Sequence, residues 1–141
     1  MKKITVVSII LIGSFAFSNL NATCVAGNAE VLRASKNLKN IYNFVFTEYL
    51  DVCSTKNVDD PKTSCTISKK KIDALKKDQI KLNKLIDYTY VRGVQVYRTC
   101  GIKSGFDAID KIRNYDGIFL NENINDCMNR IEKSRKDTCP L

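Results

Sequence analysis

The sequence predicts an all-α fold: a disulfide-stapled bundle of three long helical segments, the third interrupted near Asp116-Gly117. Three observations carry that prediction. Apolar residues recur in steps of three and four over most of the chain, which is the spacing of one helix face. No alternating apolar and polar run of useful length competes with it. Six cysteines, Cys24, Cys53, Cys65, Cys100, Cys127 and Cys139, all follow an N-terminal stretch that reads as an export signal, so they read as three disulfides.

That stretch, MKKITVVSIILIGSFAFSNLNA, opens on Lys2 and Lys3, runs apolar from Ile4 to Ile12, and continues with small and aromatic residues to Phe17. It is too short, and too closely flanked by Ser and Asn, to span a bilayer, and it has the charged and apolar regions of a secretory signal. Residues 1–22 are therefore assigned to the signal, with cleavage after Ala22 and an earlier competing site at Ala16-Phe17-Ser18. The earlier cut alone would retain the sequon Asn21-Ala22-Thr23, an acceptor for N-glycosylation. The remaining 119 residues, 23–141, suffice for a single helical domain with a real core. Three disulfides favour a secreted, extracellular protein over the alternative of a bacterial periplasmic one.

The first helix is expected over roughly residues 28–53, from Val31, Ala34, Leu38, Ile41, Val45, Tyr49 and Val52. Polar STKNVDDPKTS, with Pro61, then breaks it into an exposed loop, where Asp59 and Asp60 read as turn and solubility residues. A second helix of about 30 residues, close to 45 Å long, carries Ile72, Leu75, Leu82, Ile86, Val96 and Cys100. Gln79, Thr89 and Gly93 are the softer members of its stripe, with Gly93 a candidate for a kink or a close crossing. Past Gly101 and Gly105 the pattern resumes at Phe106, Ile109, Ile112 and Tyr115, and pauses at Asp116-Gly117. It ends with Leu120, Ile124, Cys127, Met128 and Ile131, with Asn121 as a candidate cap. Four i,i+4 pairs support the helices: Asp73 with Lys77, Asp107 with Lys111, Asp126 with Arg130, and Glu132 with Lys136.

The cysteines repeat. Cys24, Cys53 and Cys65 are matched by Cys100, Cys127 and Cys139 once a two-residue deletion is allowed, and each set ends on a pair with eleven residues between them. In an up-down-up bundle Cys24 and Cys100 lie at one end and the other four at the opposite end. A fourth full helix would leave three cysteines at each end, an odd number. The expectation is Cys24 with Cys100, and the remaining four paired among themselves.

Chemistry is mostly excluded. The chain has no histidine, which removes the usual base of phospholipases A2, ribonucleases and serine or cysteine hydrolases. Its four glutamates, Glu30, Glu48, Glu122 and Glu132, fall in no segment that reads as a catalytic cleft, so the protein is read as a non-enzyme. Without a Cys-x-x-Cys or a histidine there is no zinc pattern, and no cofactor is implied. Asn121, Asn123, Asn125 and Glu132 fall at calcium-loop spacing, but Asp126 stands where the loop needs glycine, so these residues read as helix surface. Insect odorant-binding proteins, a helical secreted comparison, carry a close Cys-x-x-x-Cys pair that this chain lacks.

A formal charge of +8, or +6 without Lys2 and Lys3, favours anionic partners in general. Lys70, Lys77, Lys81 and Lys84 project on one side of the second helix, away from its apolar stripe, and form the candidate surface for an anionic partner. Tyr88, Tyr90, Tyr97, Arg92 and Arg98 interleave aromatic and basic residues as some nucleic-acid surfaces do, but an exported protein meets little nucleic acid. The leading expectation is a secreted protein that binds a macromolecule (an unknown protein, an anionic glycan or a membrane surface) as a salivary, venom, reproductive or host-interaction factor. The alternatives are an extracellular carrier of a small apolar ligand or lipid, and a membrane-active basic protein.

Overall fold

The computed structural model describes residues 2–54 and 61–139, with side chains described from Ala22 onward except at positions 61, 63 and 138. Helix α1 spans Lys2–Val52, α2 Pro61–Thr66, α3 Lys69–Cys100, α4 Ser104–Lys111 and α5 Gly117–Thr138, and a π-helical turn at Ile112–Asp116 joins the last two without a break. Among the described residues there is no strand, and no helix is long and apolar enough to cross a membrane. The first helix thus starts far upstream of residue 28. The expected loop before the second helix contains a one-and-a-half-turn helix opened by Pro61, a residue suited to a first helical position. Asp59 and Asp60 lie outside the described residues.

The three segments run up, down and up. Every core position of α3 follows a strict three-four alternation: Ile72, Leu75, Gln79, Leu82, Ile86, Thr89, Gly93, Val96 and Cys100, all buried except Gln79 and Cys100, which are partly so. In α1, Cys24, Val31, Leu38, Val45 and Val52 are buried at intervals of seven. Such seven-residue repeats keep one seam of each helix facing its neighbours over the full length of the bundle.

The third segment departs from this spacing at one place, and the π turn is the result. Its buried positions run Gly105, Ile109, Ile112, then Gly117, Leu120, Ile124, Cys127 and Ile131, with one step of five. An uninterrupted α-helix would aim Asp116 at the core. The π turn absorbs the additional residue through the Gly117 N–H to Ile112 carbonyl bond, so both halves keep their apolar side inward. Tyr115, expected on the apolar face, is 68% exposed for the same reason, and Gly117 takes the core position instead. Asp116-Gly117 is therefore a change of helical phase rather than a chain turn. A Cβ at Gly117 would meet the Ile112 carbonyl oxygen at 3.0 Å.

The helices also meet through glycine. Gly93 is a close crossing: a Cβ there would lie 2.9 Å from Cγ2 of Ile109, a fully buried β-branched side chain with little room to move. Gly101 ends α3 in the left-handed region, φ 69°, donating its N–H to the Tyr97 carbonyl, a backbone conformation only glycine adopts cheaply. At the start of α4, the Gly105 N–H donates to Asn28 Oδ1 of α1 at 2.9 Å, so a residue on another helix satisfies an orphan donor.

The bridges are Cys24–Cys100, Cys53–Cys127 and Cys65–Cys139, with Cα separations of 5.6, 5.8 and 5.5 Å. The first is the expected pair, and the other four cysteines do pair among themselves. Each cysteine of the first triplet joins its counterpart in the second. The third bridge holds α2 against the end of α5, where Ser64 and Ser134 share a 2.8 Å hydrogen bond and Arg135 Nη1 donates to the Ile67 carbonyl at 3.1 Å.

The phase argument is tested by deletion. Removing Asn114 returns the step from Ile112 to Gly117 to four residues, and is expected to change stability by no more than about 1 kcal/mol. Removing Glu122 turns everything beyond it by about 100°, exposing Ile124 and Ile131, and is expected to abolish the cooperative thermal transition seen by circular dichroism.

Candidate functional site

The lysine surface sits where the helical projection puts it. Lys70, Lys77, Lys81 and Lys84 are all exposed on the side of α3 opposite its core stripe, and Tyr88, 75% exposed, extends the same strip. Their neighbours on the flanks are paired: Lys71 bonds Asp51 at 2.8 Å and Lys76 bonds Glu132 at 2.7 Å. The hydrogen bond from Lys76, and then its charge, hold the Glu132 carboxyl below the usual carboxylate range. Among the described residues none of the four surface lysines makes an ion pair within 4 Å.

The helix-surface pairs settle differently from expectation. Asp126 and Arg130 approach to 3.7 Å, whereas Asp107 turns back to Lys103 at 3.8 Å and Glu132 reaches across to α3. Asp73 and Lys77 form no ion pair, which leaves Lys77 available on the outer strip. An interhelical partner gives a short, direct bond, while an intrahelical one is worth only about 0.2–0.5 kcal/mol.

Between α3 and α5 lies a set of amides that the sequence reading missed. Asn83 and Asn121 exchange hydrogen bonds reciprocally, Nδ2 to Oδ1, at 3.0 and 2.9 Å. Gln79 Nε2 donates to Asn121 Oδ1 at 3.0 Å and to Asn125 Oδ1 at 3.2 Å. Asn121 is thus inside α5 and bridges helices; it caps nothing. Asn123 bonds back to the Phe119 carbonyl at 2.7 Å on a different side, so the calcium-loop spacing corresponds to no common site. The available signal was two i,i+4 amide pairs, Gln79/Asn83 and Asn121/Asn125, one on each helix. Next to them the π turn opens a cleft of about 460 Å³, whose walls include Asn83, Asn121, Asp87 and Arg113. Arg113 Nε bonds Asp87 at 3.2 Å, and its guanidinium lies 4.2 Å over the Tyr90 ring, so the polar groups there are already engaged.

The interleaved aromatic and basic residues of α3 disperse. Tyr90 lies under Arg113, Tyr97 stacks on Phe106 at 5.3 Å between centroids, and Arg92 reaches Glu30 at 3.8 Å, while Tyr88 and Arg98 are exposed. They build no common stacking platform. Among the described residues there is also no group of three or more potential metal ligands.

On the other flank of α3, the three-four phase of α1 passes through Glu48, one residue before Tyr49. Its Oε2 is shielded from solvent, and the carboxyl lies against Asp78. Burial first, and then the hydrogen-bonding contact and charge of Asp78, push Glu48 up to about 7.

The chain matches no protein-family model, no curated protein and no solved structure.

Because Glu48 binds its proton more tightly in the folded state, its contribution favours folding below its ordinary value of 4.5 and is lost as pH rises to about 7. Glu48→Gln is expected to leave urea stability unchanged at pH 4. At pH 8 it should raise stability by on the order of 1 kcal/mol, the side chain being partly open to solvent screening. An equal effect at both pH values would show that the carboxyl ionises freely.

Proposed function

We propose that this is a secreted, non-enzymatic binding protein that engages an anionic macromolecule, with an acidic glycan as the best-fitting class, through the outer face of α3. The observation that carries the reading is the row of four exposed lysines, Lys70, Lys77, Lys81 and Lys84, without ion-pair partners among the described residues, while the flanking Lys71 and Lys76 are neutralised. Unpaired ammonium groups along a rigid helix keep their full field for an incoming polyanion and need no intramolecular pair to be broken. Three disulfides support an oxidising compartment and hence export. The apolar run before residue 22 supports a cleaved signal as the route.

Heparin-affinity chromatography tests this. The oxidised protein is expected to elute above about 0.15 M NaCl, where surface attraction is already screened beyond roughly 8 Å. Replacing Lys70, Lys77, Lys81 and Lys84 by glutamine should bring elution below that salt concentration. Neutralising Arg98, Lys103, Lys133 and Lys136 instead removes the same charge elsewhere and should leave elution above it. Equal losses from both sets would reduce the attraction to net charge and remove the site.

A further inference from the structure

A second surface, on the far side of α1, combines three features that the lysine strip lacks. Where α1 passes α4 and the π turn there is a groove of about 330 Å³, at the small end of the range of small-molecule sites. Its floor is apolar, made by Leu32 of α1, Ala108 of α4 and Ile112 of the π turn, and Leu32 is 40% exposed there. Lysines stand on both walls: Lys36 and Lys39 on α1, Lys111 on α4. None of the three makes an ion pair among the described residues, and the one carboxylate lining the groove is Asp116.

The third feature is Ser35. It lines the same groove, only 4% of it is exposed, and its hydroxyl has no hydrogen-bond partner among the described residues. A buried hydroxyl left unpaired is unfavourable, so turning it out to a ligand acceptor is favoured. Serine at this position, with lysines on both sides and an aliphatic floor beside it, calls for an acceptor carrying negative charge at the end of an apolar body.

We infer that the groove between α1 and the π turn binds a single-chain anionic amphiphile, a medium-length fatty acid carboxylate. The ammonium groups of Lys36, Lys39 and Lys111 are the counter-charges of the carboxylate, a rotation of the Ser35 side chain brings its hydroxyl out of the shielded position to donate to it, and the alkyl chain covers Leu32, Ala108 and Ile112. Charge-assisted hydrogen bonds of this kind are roughly twice as strong as neutral ones, which selects the acid over the alcohol of equal length. The groove exists because the π turn moves Asp116 and Tyr115 off the core line and lets Ile112 face α1. The site is separate from the α3 lysines, so its occupancy and glycan binding stand or fall independently.

The test is titration of the oxidised protein with dodecanoate below its micelle concentration, followed by isothermal calorimetry and by displacement of a dansylated fatty acid. Saturable binding at one per chain is expected, with dodecanol about tenfold weaker or more. Lys39→Glu combined with Lys111→Glu should weaken dodecanoate by about tenfold or more, and Ser35→Ala by a smaller factor. The glutamine variant at Lys70, Lys77, Lys81 and Lys84 should bind dodecanoate as the parent does. Equal affinity for dodecanol, no saturation, or loss on the α3 variant would each overturn the assignment. So would binding confined to phosphatidylserine vesicles with no uptake of the free acid, which would identify a membrane-surface contact in its place. Circular dichroism melting of Ser35→Ala and of the double variant separates lost binding from lost folding.

Discussion

The bundle depends on register, and register is set by the cysteine ladder. Cys24–Cys100 ties α1 to the end of α3, Cys53–Cys127 ties the chain just past α1 to α5, and Cys65–Cys139 extends the same order to α2. Each bridge closes 74 to 76 residues. In the chain-entropy view a loop of that size is worth about 4 kcal/mol when it is the only cross-link, although these loops overlap and their effects do not add. The larger consequence is geometric. With α1 tied at Cys24 to the end of α3, and its C-terminal end tied at Cys53 to α5, its buried repeat at Val31, Leu38, Val45 and Val52 has one partner alignment. The single surplus residue of the opposite strip must then be taken up locally, as it is at Ile112–Asp116.

Polar residues inside the seam reinforce that alignment at a cost in stability. Gln79 occupies a core-phase position of α3 and is satisfied only if Asn121 and Asn125 stand opposite. Asn28 does the same for Gly105 at the other end. A slip by one turn would leave these amides unpaired, which is how a polar residue in a coiled-coil seam specifies one register. Glu48 and Ser35 are different, since each keeps a polar atom shielded from solvent, Glu48 against Asp78 and Ser35 without a partner among the described residues. Both are places where the seam retains chemistry that packing does not need.

Most of the architecture could be read directly. Steps of three and four located α1, α3 and the third segment, the even count of cysteines at each end gave up-down-up, and the first bridge followed. Two kinds of feature escaped. The step of five between Ile112 and Gly117 resembled a turn because Asp-Gly is a common turn pair, and periodicity alone does not distinguish a chain reversal from a π turn. The amides of Gln79, Asn83, Asn121 and Asn125 resembled solvated surface, because their role exists only once two helices are juxtaposed. The α3 lysines were legible for the opposite reason: a helix projection suffices to place exposed residues on the side away from the core stripe. Ser35 carries no sequence signal at all, being one serine among apolar and charged neighbours until a groove forms over it.

Peptide mapping of the unreduced protein by mass spectrometry tests the register most directly. It should recover three linked pairs, Cys24 with Cys100, Cys53 with Cys127 and Cys65 with Cys139, and no others. Recovery of Cys53 joined to Cys65, or Cys127 joined to Cys139, would untie α1 from the third segment and contradict the cross-linked alignment from which the π turn and the groove beside α1 follow.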